Sequence, residues 1–259
     1  MIVGSIKEDL SFEKRVSITP ETAKNIINLG LKVIIENNYA THIGIPDKEY
    51  EIVGVEIKKS SKEVFNNCNL LAKVNCPSDD EISNLKDKTI LIGMINPSKN
   101  QNKINNILKK NIDIFSLELL PRISRAQSMD VLSSQSNLAG YRSVVDSVYE
   151  FEKAIPMMMT AAGTVPAAKV LVIGAGVAGL QAIATAKRLG AIVSATDVRA
   201  ASKEQVESLG GKFLTVEQTE NLETEGGYAK EVSENFKKKQ AEMIKDALKK
   251  NDIVICTAL

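Results

Sequence analysis

Three glycines and one aspartate carry the most specific chemistry in the chain. Lys169-Val-Leu-Val-Ile-Gly-Ala-Gly-Val-Ala-Gly179 leads into a helical run to about Leu189 and then into Ile192-Val-Ser-Ala-Thr-Asp197. A strand, a glycine turn, a helix and a second strand ending in a carboxylate make a dinucleotide-binding unit. Gly174 permits the tight turn, Gly176 lets the backbone approach a pyrophosphate, and Gly179 lets the helix pack closely on the sheet. Ala175, Val177 and Ala178 complete the turn, and the helix N-terminus offers unpaired N–H groups and a positive dipole end to the phosphates. Asp197, followed by Val198 and Arg199, can accept hydrogen bonds from an adenosine ribose and repel a 2′-phosphate, which favours NAD(H) over NADP(H). Arg199 could itself reach a 2′-phosphate; we read it instead as a solvated surface arginine. A turn that serves strand-to-helix geometry without a ligand is the competing reading, and Asp197 weighs against it.

The rest of the composition narrows the class. A chain of 259 residues allows one large or two medium domains, and two fit better. A 44% hydrophobic and 25% charged composition is ordinary for a globular protein with a sizeable core. With 33 basic and 32 acidic side chains there is no bulk field to recruit nucleic acid or a charged membrane. Cys68, Cys76 and Cys256 form no CxxC pair, so neither a disulfide framework nor a metal site is indicated, and buried apolar packing in a reducing compartment is expected. The short apolar N-terminus runs at once into Lys7, Glu8 and Asp9, unlike a signal peptide, and no segment approaches about twenty apolar residues.

The periodicity predicts α/β architecture: two Rossmann-like domains with parallel sheets, joined by a long connecting helix. The expected divisions are 1–132, an N-terminal α/β domain; 133–165, connecting helix and linker; and 166–259, a nucleotide-binding domain incomplete at its C-terminus. In the first domain strands are expected at Ile2–Ile6, Lys32–Glu36, Leu70–Val74, Thr89–Gly93 and Asp113–Ser116. Helices are expected from Thr19-Pro20 to about Leu29, at Ser60–Asn67 and at Gln101–Lys110. Leu138, Tyr141, Val144, Val145, Val148 and Phe151 recur at helical spacing over Ser133–Phe151, and Met157–Pro166 reads as a linker whose methionines pack adaptably. Strands are then expected at 169–173, 191–196, 212–216 and 252–257. Glu217–Gly227 suggests a mobile surface loop, and a long helix runs from about Tyr228 to Lys250.

Two further stretches carry a resemblance. Pro121-Arg-Ile-Ser-Arg-Ala-Gln-Ser-Met-Asp130, continuing to Tyr141, and Gly226-Gly-Tyr-Ala-Lys230 resemble the signature segment and the loop of the NAD(H)-binding subunits of proton-translocating nicotinamide nucleotide transhydrogenases. The likeness extends over nearly the whole chain, including Glu13-Lys-Arg-Val-Ser-Ile-Thr-Pro20. It implies direct hydride transfer from NADH here to NADP⁺ on a second component, coupled to proton movement through a membrane component. It also implies site residues: Arg122, Gln127, Asp130 and Ser133 at the nicotinamide, with Tyr141 near it. Gly227 and Tyr228 would close over the nucleotide, and Thr257 and Ala258 would lie beside the adenosine.

The residue types agree with that chemistry. Hydride passage between two nicotinamides needs no side chain to exchange a proton; the protein fixes the rings and excludes water. Arg122 and Gln127 can hydrogen-bond a carboxamide, Asp130 can orient them and Ser133 can complete the set. An N-cap role for Ser133 or Ser134 competes with this. The resemblance further implies a homodimer, membrane-spanning and NADP(H)-binding partner subunits, no nucleic acid and no metal. Attachment to the cytoplasmic face of the inner membrane would then be indirect, through those partners.

An alanine dehydrogenase-like oxidoreductase is the nearest alternative. Arg15 and Lys73 stand where that family has a substrate-binding arginine and lysine. The single histidine, His42, lies in an early loop, and Leu91-Ile-Gly-Met-Ile-Asn96 occupies the region expected to hold the acid/base histidine. Losing such a group costs about 10²–10⁴-fold in rate. A non-catalytic remnant is the other alternative, because the family's subunits continue past the final strand read here and leave its edge unpaired.

Overall fold

The computed structural model describes residues 1–121, 123–199, 201–216 and 234–258, with the side chains of 234–236 excepted. The chain divides into two compact units, Met1–Val131 and Leu132–Leu259.

In the first unit, β1 (Ile2–Ser5), α1 (Pro20–Asn28), β2 (Lys32–Glu36), α2 (Asp47–Ile52), β3 (Glu56–Lys58) and α3 (Ser61–Asn67) are followed by β4 (Leu70–Asn75), α4 (Asp79–Asn84), β5 (Ile90–Met94), α5 (Gln101–Leu108) and β6 (Asp113–Ser116). The six strands form one parallel sheet in the order β3-β2-β1-β4-β5-β6. Apolar side chains leave both faces. Val33 and Ile35 join Val3, Ile18 and Tyr50 on one side, while Ile34 joins Leu71, Leu91 and Phe65 on the other. Burial on both faces is why these strands read as continuous apolar runs. Helix starts follow their caps. The Thr19 side chain accepts from the Thr22 N–H with Pro20 at the first helical position, Ser60 caps α3, and Ser78 and Glu81 form a reciprocal capping box on α4.

The second unit holds α6 (Val131–Glu150), whose first residue closes the first unit, then β7 (Met158–Thr160), β8 (Gly163–Val165), β9 (Lys169–Ile173), α7 (Val177–Arg188), β10 (Ile192–Thr196), α8 (Ser202–Ser208), β11 (Lys212–Phe213), α9 (Glu234–Leu248) and β12 (Ile253–Cys256). Its parallel sheet runs β11-β10-β9-β12. Val170, Val172, Val193, Ala195, Ile253 and Ile255 form its core with Ala182, Ile183 and Ala186 of α7 and Val144 of α6. The long helix therefore packs as a core element of this unit. Gly140 of α6 makes that possible: a Cβ there would lie 2.1 Å from the Ala178 carbonyl oxygen, so the two helices touch backbone to backbone.

Several expectations change. The segment taken as a linker is an antiparallel hairpin, β7 with β8, Met158 facing Val165. The strand expected at 212–216 is paired only at Lys212–Phe213. Short elements α2, β3, α4 and α8 were not anticipated. Cys68 is buried, with burial pushing its thiol up to about 11, but Cys76 is half-buried and Cys256 exposed, so the three are not alike as apolar filler. The loop expected at Glu217–Gly227 lies outside the described residues, as does the start of the helix expected from Tyr228.

Candidate functional site

The second unit's sheet reverses its winding between β9 and β12, and open parallel sheets bind ligands beyond the carboxyl ends of their strands at such a point. The glycine turn leaves β9 there. Gly174 has φ +91°, and its N–H donates to the Thr196 carbonyl at 2.8 Å, tying the turn to the neighbouring strand. A Cβ on Gly174 would lie 2.8 Å from the Ala258 nitrogen and 2.9 Å from the Thr257 hydroxyl. On Gly179 it would lie 1.8 Å from the Gly174 carbonyl oxygen, so α7 can start this close to the strand only without a side chain. Gly176 differs: the nearest atom to its hypothetical Cβ is the Arg199 Nη2 at 3.8 Å, which leaves the face of the turn open.

That opening suits an anion. Gly176 is the N-cap of α7, and the N–H groups of a helix's first turn have no carbonyl four residues back to bond. No acidic side chain occupies that turn, whereas Lys187 and Arg188 close the last one, so the positive end of the dipole is unopposed. Val177 is exposed, Ala178 half-buried and Ala175 buried. At the end of β12, the Thr257 hydroxyl donates to the Gly174 carbonyl at 2.8 Å, and Ala258 beside it is exposed.

Asp197 sits at the end of β10 with its side chain 7% exposed. It accepts from the Ala175 N–H at 2.7 Å and from the Arg199 N–H at 2.8 Å. Burial pushes its carboxyl up, but the donors from Arg199 and Ala175 outweigh it and hold the group below its ordinary value, ionised at neutral pH. Arg199 is not the solvated surface arginine expected. Its guanidinium pairs with Asp197 and its side chain is 24% exposed, because a buried carboxylate requires a partner. Val198 is half-buried between them. The cradle therefore fits a pyrophosphate at the open turn with a ribose at the adjoining carboxylate.

The residues expected at a nicotinamide fall close together in sequence. Gln127 is exposed on a 3₁₀ turn, Ser124–Met129, and its carbonyl accepts from the Asp130 N–H at 3.3 Å. Asp130 is half-buried. Helix α6 begins at Val131, so Ser133 and Ser134 stand inside its first turn and neither occupies the N-cap position. Tyr141 is 50% exposed on the same helix. Arg122, Gly227 and Tyr228 lie outside the described residues. His42 is exposed, and its Nε2 lies 2.8 Å from the Lys14 carbonyl. Asn96, with φ +50°, follows β5.

Sequence reasoning missed what ties these elements together. The Asp197 bond to Ala175 and the Thr257 bond to Gly174 span 22 and 83 residues, and no local pattern signals them. Among the described residues there is no cluster of three or more His, Cys, Asp or Glu side chains arranged for a metal ion.

Comparison with known proteins places the whole arrangement. The alanine dehydrogenase/PNT N-terminal domain model matches residues 4–139, and the alanine dehydrogenase/PNT C-terminal domain model matches residues 143–259. The chain belongs to the alanine dehydrogenase/PNT family. Within that family it is 52% identical to the first segment of a divided NAD(P) transhydrogenase subunit alpha from Rhodospirillum rubrum, with 100% of this chain and 69% of that protein covered. It is 47% identical to a protein of the same name from Rickettsia prowazekii (strain Madrid E), covering 100% and 68%. The crystal structure of transhydrogenase from Sinorhizobium meliloti superposes with a TM-score of 0.87 at 45% identity, over 100% of this chain and 70% of that one. The α/β architecture with parallel sheets expected from the sequence is thus shared with a solved transhydrogenase. No described helix is long and apolar enough to cross a membrane.

Proposed function

We propose that the chain is the NAD(H)-binding portion of a proton-translocating NAD(P) transhydrogenase, holding NADH for direct hydride transfer to NADP⁺ on a partner component. The observation that carries this reading is the pairing of an open Gly176 turn with the ionised Asp197 at one end of the sheet, in a chain half identical to transhydrogenase alpha subunits. Gly174, Ala175, Gly176, Val177, Ala178 and Gly179 would hold the pyrophosphate, Asp197 with Val198 and Arg199 the ribose, and Thr257 with Ala258 the adenosine side. Arg122, Gln127, Asp130 and Ser133 would orient the carboxamide, with Tyr141 near it and Gly227 and Tyr228 closing over the nucleotide.

The bound nicotinamide supplies the hydride; the residues supply placement and water exclusion, and none of them titrates in the transfer. NADP(H) belongs on the partner component, a second copy of this chain completes a homodimer, and attachment to the inner membrane's cytoplasmic face is through the partners. The divisions 1–132, 133–165 and 166–259 are the corresponding domains. NADH fluorescence titration of the chain, followed by addition of the NADP(H)-binding component and an NADP analogue, tests the reading. Saturable NADH binding with analogue reduction is expected. Turnover of pyruvate and ammonium in its place would return the alanine dehydrogenase alternative.

A further inference from the structure

The first unit has its own reversal of winding, between β1 and β4, where a crevice should open beyond the strand ends. Here it is filled by the chain's own charges. Lys73, whose side chain is 4% exposed, donates to both oxygens of Glu81 at 2.8 and 2.9 Å and lies 3.6 Å from Glu8. Glu8, 5% exposed, accepts from the Val74 N–H at 2.7 Å. Next to them, Arg15 grips Glu13 with Nε at 2.8 Å and Nη2 at 2.6 Å, and Asn75 adds a third donor at 3.1 Å. Glu8, Glu13 and Arg15 come from the segment after β1, Lys73 and Asn75 from the end of β4, and Glu81 from the first turn of α4.

A planar guanidinium and a buried ammonium at a strand-end crevice are the donors that recognise a carboxylate. Both already hold one. Glu13 lies two residues from Arg15 and Glu81 eight from Lys73, so each is presented at an effective concentration that a dissolved ligand does not match. With two cations against three carboxylates, the cluster also carries one net negative charge, which repels a dissolved anion.

We propose that this crevice is a binding site for a small organic carboxylate, held shut by Glu13 and Glu81 acting as built-in occupants. The consequence is selectivity: the first unit is closed to dissolved carboxylates although it carries the groups that would bind them.

The test uses the full chain with oxalate as probe, followed by calorimetry and by the thermal shift it produces. Glu13→Gln with Glu81→Gln keeps the shapes and the hydrogen-bond acceptors and turns the cluster net positive. Oxalate affinity should rise at least about tenfold over the original chain. Adding Lys73→Met should remove the gain. An original chain that already binds oxalate as tightly as the double variant overturns the proposal, as does a folded double variant without gain, or a gain indifferent to Lys73→Met. If the double variant does not fold, the single substitutions decide: each must show a smaller gain of the same sign. NADH affinity, measured alongside, is read separately, since none of these residues belongs to the nucleotide cradle.

Discussion

Arg199 grips Asp197 with two nitrogens, Nε on one carboxylate oxygen at 2.9 Å and Nη2 on the other at 3.0 Å. The acceptor that a ribose needs is thus already engaged. A nucleotide must share the carboxylate with the guanidinium or turn it aside. Charge-assisted hydrogen bonds are worth about 1.5–3 kcal/mol. Asp197→Ala should therefore weaken NADH about 10- to 100-fold by fluorescence titration. Arg199→Ala, with the carboxylate freed, should weaken it far less and leave NADPH the poorer ligand.

Gly176 and Gly179 make a contrasting pair. A methyl at Gly179 meets the Gly174 carbonyl oxygen at 1.8 Å, so Gly179→Ala should lower stability by about 3 kcal/mol or more in chemical unfolding. A methyl at Gly176 meets nothing closer than 3.8 Å, and Gly176→Ala should unfold like the original chain. Its loss should appear in NADH affinity, about tenfold or more, since the methyl stands where the phosphates approach.

Gly140→Ala places a methyl 2.1 Å from the Ala178 carbonyl oxygen. Overpacking costs about 1–3 kcal/mol. The melting temperature should fall, and NADH affinity measured well below the transition should weaken with it, because Ala178 belongs to the pyrophosphate turn.

Glu13 is held at about 2, against an ordinary 4.5, first by the Arg15 side chain. A carboxyl lowered in the folded state binds protons more readily when unfolded. Its stabilisation is complete above about pH 4.5 and is lost as the pH falls toward 2. Urea unfolding of Glu13→Gln across pH 2–6 should show a shallower acid decline than the original chain. Glu8 runs the other way: burial raises it, so its contribution is present at low pH and lost as the pH rises through its folded value. Glu8→Gln should leave stability near neutrality unchanged or slightly higher.

The elements legible beforehand are those that combine length with a stop or start signal. Thr19-Pro20 opens α1 and Gly30 ends it, and the apolar runs of β2, β4, β5 and β9 are strands because both faces are covered. β3 escaped because three residues, Glu56 to Lys58, are too few to alternate; pairing with the free edge of β2 decides it. α4 carried a usable signal, the Ser78-x-x-Glu81 capping box, that went unread. For the site, glycine spacing located the turn because each glycine answers a backbone demand. The Arg199 pairing was misread, since nothing local says that Asp197 is buried. Arg15 and Lys73 were noticed only by analogy; their partners Glu8, Glu13 and Glu81 are scattered over 74 positions, and sheet winding alone assembles them.

The backbone contact of Gly140 with Ala178 bears on the thermodynamics of ligand capture. A nucleotide turn seated on a rigid neighbouring helix is already ordered, so little conformational freedom is forfeited when phosphate arrives. Calorimetric binding at that cradle should be enthalpy-led with a small entropic penalty, and backbone relaxation at Gly176 to Gly179 should be nearly the same with and without nucleotide.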